Sequence, residues 1–112
     1  MKSTKLRWPL RITQERRDGV LVLSLAGRMG FVSAAALVTT VADAVGRGDR
    51  HVVLDLAAVD YASSAGLNAL EAAADRCASA DGSLVLKAVS EPVRLALDLG
   101  GLLTRFRIEA NK

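Results

Sequence analysis

The chain has 112 residues, a hydrophobic fraction of 51% with only 4% aromatic residues, and a formal net charge of +3. This length is typical of one domain, here residues 1–112, and it is too short for the layered clefts of most enzymes. The single cysteine, Cys77, excludes an internal disulfide. Without a second cysteine or clustered histidines, we expect no metal and no cofactor.

Neither export nor membrane insertion is predicted. Charged residues or glycines interrupt every apolar run before the roughly 18 residues that a membrane span needs. The N-terminus lacks the apolar region of a signal peptide. The unpaired cysteine suits a reducing compartment, so we predict a cytoplasmic protein.

The N-terminal segment is basic. Residues 1–17 carry a net charge of +5, whereas the rest of the chain sums to −2. A basic segment can contact nucleic acid or an anionic membrane, but no nucleic-acid-binding motif follows here. We therefore interpret residues 1–7 as a solvated, partly flexible arm, Trp8 as a packing residue, and the chain as one that does not bind nucleic acid directly.

Two strands and a helix are predicted in the first half of the chain. Asp18-Gly19 joins the strands within "RITQERRDGVLVLSLAG", because this pair supplies the positive φ angles of a tight hairpin turn. The second strand is apolar on both faces, which predicts a central position. A helix is expected over Ser33–Val45, where apolar residues recur at a spacing of four, with Ser33 as its N-cap and Gly46 at its end.

The second half of the chain alternates strands with helices. The segment "HVVLDLAAV" predicts a strand that is buried on both faces. A helix is predicted over Ser64–Ala80, followed by a strand over 83–89. A short helix capped by Ser90 and an edge strand over 104–108 complete the order.

This order predicts an α/β fold. After the N-terminal β-hairpin, about three helices connect the strands of a mixed, mostly parallel sheet of four to five strands. The helices Ser33–Val45 and Ser64–Ala80 are expected on one side of that sheet. The predicted core includes Leu23, Leu25, Val53, Leu54, Leu56 and Leu86.

Three segments carry a family resemblance: "VVLDLAAVDYASSAGLNAL", the following "DGSLVLKAVSEPVRLALDLGGL" and the upstream "GVLVLSLAGRM". Together they resemble the STAS domain as found in anti-sigma factor antagonists. In that family the turn between strand and helix carries a serine that a partner kinase phosphorylates. Aligned on Gly66-Leu67, the resemblance implies that Ser64 is the phosphorylated residue, with Ser63 as second choice. The implied partner-binding residues are Ser63, Ser64, Ala65, Asn68, Glu71 and Asp75.

The resemblance implies an anti-sigma factor antagonist in a partner-switching pathway. Such a protein binds an anti-sigma factor with serine kinase activity when Ser64 is unphosphorylated and releases it on phosphorylation, and a cognate phosphatase reverses the change. The alternative is a non-switching STAS subunit, either the scaffold of a stressosome-like assembly or the small cytoplasmic component of a lipid ABC transporter. Gly30 and Ser63 stand where the family commonly has acidic residues, which favours the alternative, whereas the intact Ser64 favours the switch.

Two readings of the serine pair need no partner. Ser63 and Ser64 can act simply as helix N-caps, which are worth typically about 1 kcal/mol. Residues 62–66 also nearly match the G-x-S-x-G turn of hydrolases, but the only histidine, His51, precedes the serines, whereas the hydrolase order places its base after them. We therefore predict that the protein is not an enzyme.

Overall fold

The structure is a computed structural model that describes Ser3–Thr4 and residues 10–109. Most of the predicted basic arm, and Trp8 with it, lies outside the described residues. Within the arm, only the backbone of Ser3–Thr4 is described, and it forms a two-residue strand that pairs antiparallel with the next strand.

The described elements are six strands and three helices. The strands are β1 (Ser3–Thr4), β2 (Leu10–Arg17), β3 (Val20–Met29), β4 (His51–Ala62), β5 (Ser83–Lys87) and β6 (Arg107–Glu109). The helices are α1 (Phe31–Gly46), α2 (Ser64–Ser79) and α3 (Glu91–Leu99). None of these helices is long and apolar enough to cross a membrane.

All six strands form one sheet in the order of the chain. The pairs β1–β2 and β2–β3 are antiparallel, whereas β3 to β6 run parallel to one another. At the hairpin, Asp18 and Gly19 have φ angles of 52° and 81°, as a turn with two left-handed residues requires. The predicted α/β fold, with its mixed sheet, N-terminal hairpin and three helices, is confirmed.

The helices cover one face of the sheet. Each parallel connection moves one strand along in the same direction, and the right-handed rule for such crossovers then puts all three helices on the same side. The strands alternate accordingly between buried and partly exposed residues. Fully buried strand residues include Leu10, Ile12, Leu21, Leu23, Leu25, Leu54, Leu56 and Leu86.

One predicted core residue is misplaced. Val53 is only half-buried, because it lies on the face of the sheet that no helix covers, between Val22 and Val85 on the neighbouring strands. The prediction that the strand over 51–59 is buried on both faces is therefore wrong. Its two immediate neighbours Val52 and Leu54 face the helices and are buried.

Several predicted boundaries also move: the strand predicted over 51–59 extends to Ala62, and the strand predicted over 83–89 ends at Lys87. Two further shifts have a local cause. Helix α1 begins at Phe31, two residues before the predicted start, because Ser33 is not the N-cap but sits in the first turn and reaches back. The Ser33 Oγ accepts a hydrogen bond from the Gly30 N–H at 2.9 Å and donates to the Arg28 carbonyl at 2.8 Å. The last strand begins at Arg107 and not at residue 104, because residues 103–105 form a turn.

The single cysteine lies in the core. Cys77 is fully buried on the inner face of α2, and this burial raises the pKa of its thiol. Because the thiolate is the reactive species, we expect native protein at pH 8 to resist iodoacetamide, and protein in denaturant to be alkylated at once. Mass spectrometry measures the extent of alkylation. Rapid alkylation of the native protein would contradict the buried position of Cys77.

Candidate functional site

The candidate site lies where β4 passes into α2. Strand β4 ends at Ala62, and Ser63 follows as the N-cap of α2 in extended conformation, with φ −86° and ψ 176°. The Ser63 Oγ accepts a hydrogen bond from the Gly66 N–H at 3.2 Å. This bond satisfies one of the N–H groups that the first turn of a helix leaves unpaired. Ser63 is thus the capping serine of the pair.

Ser64 is differently placed. It is the first residue of α2, its side chain is exposed, and its hydroxyl makes no hydrogen bond with any described residue. The first turn of α2 contains no acidic residue. The positive end of the helix dipole therefore has no carboxylate nearby in its own turn, and this environment favours a negative charge on residue 64.

The end of β3 holds this turn in position. The Ser63 N–H donates a hydrogen bond to the Met29 carbonyl oxygen at 3.0 Å. At Gly66 the backbone of α2 approaches that same carbonyl so closely that a Cβ atom would overlap it. Only glycine permits this approach. The turn bearing both serines is thereby fastened to the neighbouring strand.

The other predicted partner-binding residues lie along the same helix. Ala65 is half-buried and Asn68 is exposed. Arg105 lies 3.1 Å from a Glu71 carboxylate oxygen and 3.7 Å from one of Asp75, and it partly covers Glu71, whereas the Asp75 side chain stays 70% exposed. The turn after α3 thus covers part of the acidic surface that sequence reasoning assigned to a partner.

Sequence reasoning missed a group of residues beside the serines. The Arg28 guanidinium carbon lies 4.2 Å from the centroid of the Tyr61 ring, in a cation–π contact. Phe31 and Val32, the first two residues of α1, are 85% and 73% exposed. Two large apolar residues directly after Gly30 are the signal that could have drawn attention to this position.

Within the described part of the chain, we find neither a histidine beside the serines nor a metal-binding cluster. His51 lies at the opposite end of β4, where its Nδ1 is 2.9 Å from the Ser83 Oγ. Among the described residues, no three His, Cys, Asp or Glu side chains cluster so that they could hold a metal ion. What the site offers is an exposed hydroxyl at a helix N-terminus beside an apolar surface.

Comparisons with known proteins show what the chain resembles as a whole. The chain is 34% identical over 99 residues to BtrV of Bordetella bronchiseptica, which carries the name of an anti-sigma factor antagonist, and the match covers 88% of this chain and 85% of BtrV. The crystal structure of an anti-sigma factor antagonist from Mycobacterium paratuberculosis superposes with a TM-score of 0.79 at 28% identity, covering 89% of this chain and 85% of that one.

A more distant solved structure shares the fold. The Bacillus cell fate determinant SpoIIAA in its phosphorylated form superposes with a TM-score of 0.70 at 14% identity, covering 90% of this chain and 92% of SpoIIAA. The family model for the STAS domain matches residues 11–112. The chain therefore belongs to the STAS domain family.

Proposed function

We propose that this protein is an anti-sigma factor antagonist and that phosphorylation of Ser64 switches it between a binding and a released state. The observation that carries the proposal is the unequal placement of the two serines. Ser64 is exposed with an unengaged hydroxyl, whereas the Ser63 hydroxyl is committed to the helix cap. A kinase can therefore reach Ser64 without breaking the helix start.

The fold can accept a phosphate on this serine. Phosphorylation adds about −1.5 to −2 charges at neutral pH. At the first position of α2 that charge lies beside unpaired N–H groups and the positive end of the helix dipole. We expect the phosphorylated domain to remain folded, so that the modification changes only the surface that a partner meets.

The same charge disfavours a partner that covers the turn. In the unphosphorylated protein, Ser64 presents a small neutral hydroxyl, which costs little to bury if it finds a hydrogen bond. A phosphate dianion in that interface loses its hydration, and unless the partner supplies cations this cost exceeds the gain from contact. The complex then dissociates, and a phosphatase that removes the phosphate restores binding.

The relatives support this assignment. BtrV and the Mycobacterium paratuberculosis protein are named anti-sigma factor antagonists, and SpoIIAA has been solved in a phosphorylated form. Their names support an anti-sigma factor as the partner, and we propose that this partner has serine kinase activity and that the protein acts in the bacterial cytoplasm. A non-switching scaffold subunit is the alternative, and it requires no phosphate on Ser64.

Mapping the phosphate tests the proposal. The parent chain, Ser64→Ala and Ser63→Ala are incubated with ATP and the cognate anti-sigma factor kinase, and modified peptides are sequenced by mass spectrometry. We expect one phosphate on Ser64 in the parent and in Ser63→Ala, and none in Ser64→Ala. Ser63→Ala is a matched control that loses only the cap, about 1 kcal/mol of stability. Phosphate on Ser63 alone would show that the switch is assigned to the wrong serine, and an unmodified parent chain would favour the scaffold.

A further inference from the structure

An exposed apolar surface adjoins the proposed switch. We define the Phe31 patch as Phe31, Val32, Tyr61 and Arg28. Phe31 and Val32 are 85% and 73% exposed, and Tyr61 is 40% exposed. Arg28 is exposed as well, with its guanidinium stacked on the Tyr61 ring. The patch therefore combines two projecting apolar side chains with a cation held by an aromatic ring.

The patch and Ser64 occupy the same edge of the sheet. Arg28 is paired with Tyr61 across β3 and β4, and the next pair, Met29 with Ala62, ends both strands. From that pair the chain reaches Phe31 in two residues on one strand and Ser64 in two residues on the other. The Met29 carbonyl, which accepts the Ser63 N–H, joins the end of β3, two residues before Phe31, to the N-cap of α2. A protein that covers Ser64 at this edge thus meets the patch next to it.

Folding does not explain why Phe31 and Val32 occupy these positions. The first turn of a helix is best served by acidic residues, which complement the dipole, and α1 has none there. Phenylalanine and valine are mediocre helix formers, because their side chains lose χ1 freedom against the neighbouring turn. Burial in the core would compensate for this loss, but both side chains project into solvent. Burial in the monomer therefore does not account for these two side chains, and a contiguous exposed apolar patch is typical of an interaction site.

Arg28 indicates the charge of the surface that fits the patch. Its guanidinium forms no ion pair with any described residue and stacks on the Tyr61 ring. The ring holds one face of the guanidinium and leaves its N–H donors free. A carboxylate on the partner would satisfy those donors in a paired geometry.

We infer that the anti-sigma factor binds this protein through an apolar pocket that takes up Phe31 and Val32, with a carboxylate at the pocket's rim opposite Arg28. This inference rests on the proposed function, since it names the chemistry of the same partner at the same edge. It also explains why phosphorylation has a large effect. A phosphate on Ser64 would face a partner surface that is apolar and bears a negative charge, so burial and repulsion both oppose binding.

Isothermal titration tests the inference. The host's anti-sigma factors, each purified without nucleotide, are titrated with the parent chain, Phe31→Ala, Phe31→Gln, Arg28→Glu and Leu99→Ala. Leu99 is the matched control, because it is an apolar residue that is 81% exposed and lies outside the patch. We expect both Phe31 variants to bind at least fivefold more weakly and Arg28→Glu to bind more weakly still, whereas Leu99→Ala binds as the parent does. All five proteins should melt within about 2 °C of one another, because surface substitutions change stability little.

The outcomes separate this inference from the proposed function. If the parent chain binds an anti-sigma factor, Ser64→Asp releases it, and Phe31→Ala binds as tightly as the parent, the patch is not the contact while the switch stands. If no anti-sigma factor binds the parent, the proposed function fails and this inference fails with it. If Phe31→Ala alters sedimentation of the protein alone and leaves partner binding unchanged, the patch joins two copies of this chain, and the inference is wrong.

Discussion

The variant Ser64→Asp is expected to bind its anti-sigma factor more than tenfold more weakly than the parent chain. Tenfold corresponds to about 1.4 kcal/mol, a small part of the cost of burying an unpaired carboxylate against a surface that lacks matching cations. Because position 64 is exposed in the free protein, the carboxylate that Ser64→Asp introduces loses its hydration only in the complex. Titration calorimetry with the purified partner measures the change.

The stability of the same variant separates a switch from a folding defect. Ser64 is the first residue of α2 and Ser63 is the cap, so the substitution leaves the capping hydrogen bond from the Gly66 N–H intact. An aspartate in the first turn is favoured by the helix dipole. We expect the melting temperature to stay within a few degrees of the parent or to rise slightly.

A neutral substitution of similar size is the control for Ser64→Asp. Ser64→Asn adds the bulk of the aspartate without its charge, and Ser64→Ala removes the hydroxyl. We expect Ser64→Ala to bind constitutively and Ser64→Asn to keep most of the affinity. Equal weakening by Asp and Asn would show that bulk, not charge, governs the contact. If Ser64→Asp binds as tightly as the parent, the scaffold reading replaces the switch.

The second large effect is expected at Gly66. The variant Gly66→Ala places a Cβ atom on the Met29 carbonyl oxygen and 3.2 Å from the Met29 Cγ. Alanine in place of glycine in a helix normally gains up to about 1 kcal/mol, but here the obstacle is backbone, which cannot rotate away as a side chain can. We expect a net loss of about 1–3 kcal/mol, as for other overpacked sites.

Thermal unfolding and a second glycine test this prediction. For a domain of this size the loss corresponds to a decrease of about 4–12 °C in melting temperature. Gly46, the last residue of α1, has no atom within 4 Å of the position a Cβ would take, so Gly46→Ala should be neutral or slightly stabilising. If both variants melt as the parent does, the close approach of α2 to β3 is wrong.

Gly66→Ala should also affect binding. Relieving the overlap requires the start of α2 to move away from Met29, and Ser63 and Ser64 move with it. The hydrogen bond from the Ser63 N–H to the Met29 carbonyl is then lengthened or lost. We therefore expect a weaker complex even at temperatures where the variant is fully folded, as judged by circular dichroism.

The local elements of this protein were determined by the sequence itself. Asp18-Gly19 supplies the left-handed turn between β2 and β3 without help from the rest of the fold. The apolar spacing of α1 and α2 identifies both helices, because a helix face is a matter of residues three and four apart. A serine just before a helical pattern likewise predicts the start of a helix, because serine is a preferred N-cap residue.

The tertiary structure decided how two neighbouring, chemically similar residues differ in role or burial. Neighbouring serines look alike in the sequence, but the position of β4 against Met29 makes Ser63 the cap and leaves Ser64 exposed. Val52 and Val53 look alike too, and only the side on which the crossover helices pack makes one buried and the other half-buried. Each choice depends on a surface supplied by a distant part of the chain.

The candidate interface depended on the fold most of all. Phe31 and Ser64 are more than thirty residues apart, and Arg105 meets Glu71 across a similar separation. Apolar residues spaced three or four apart in a helix, or two apart in a strand, show which face of that element is apolar. This spacing does not show which other element will pack against that face. Strand register and crossover direction bring these residues together, since the carboxyl ends of parallel strands meet at one edge of the sheet.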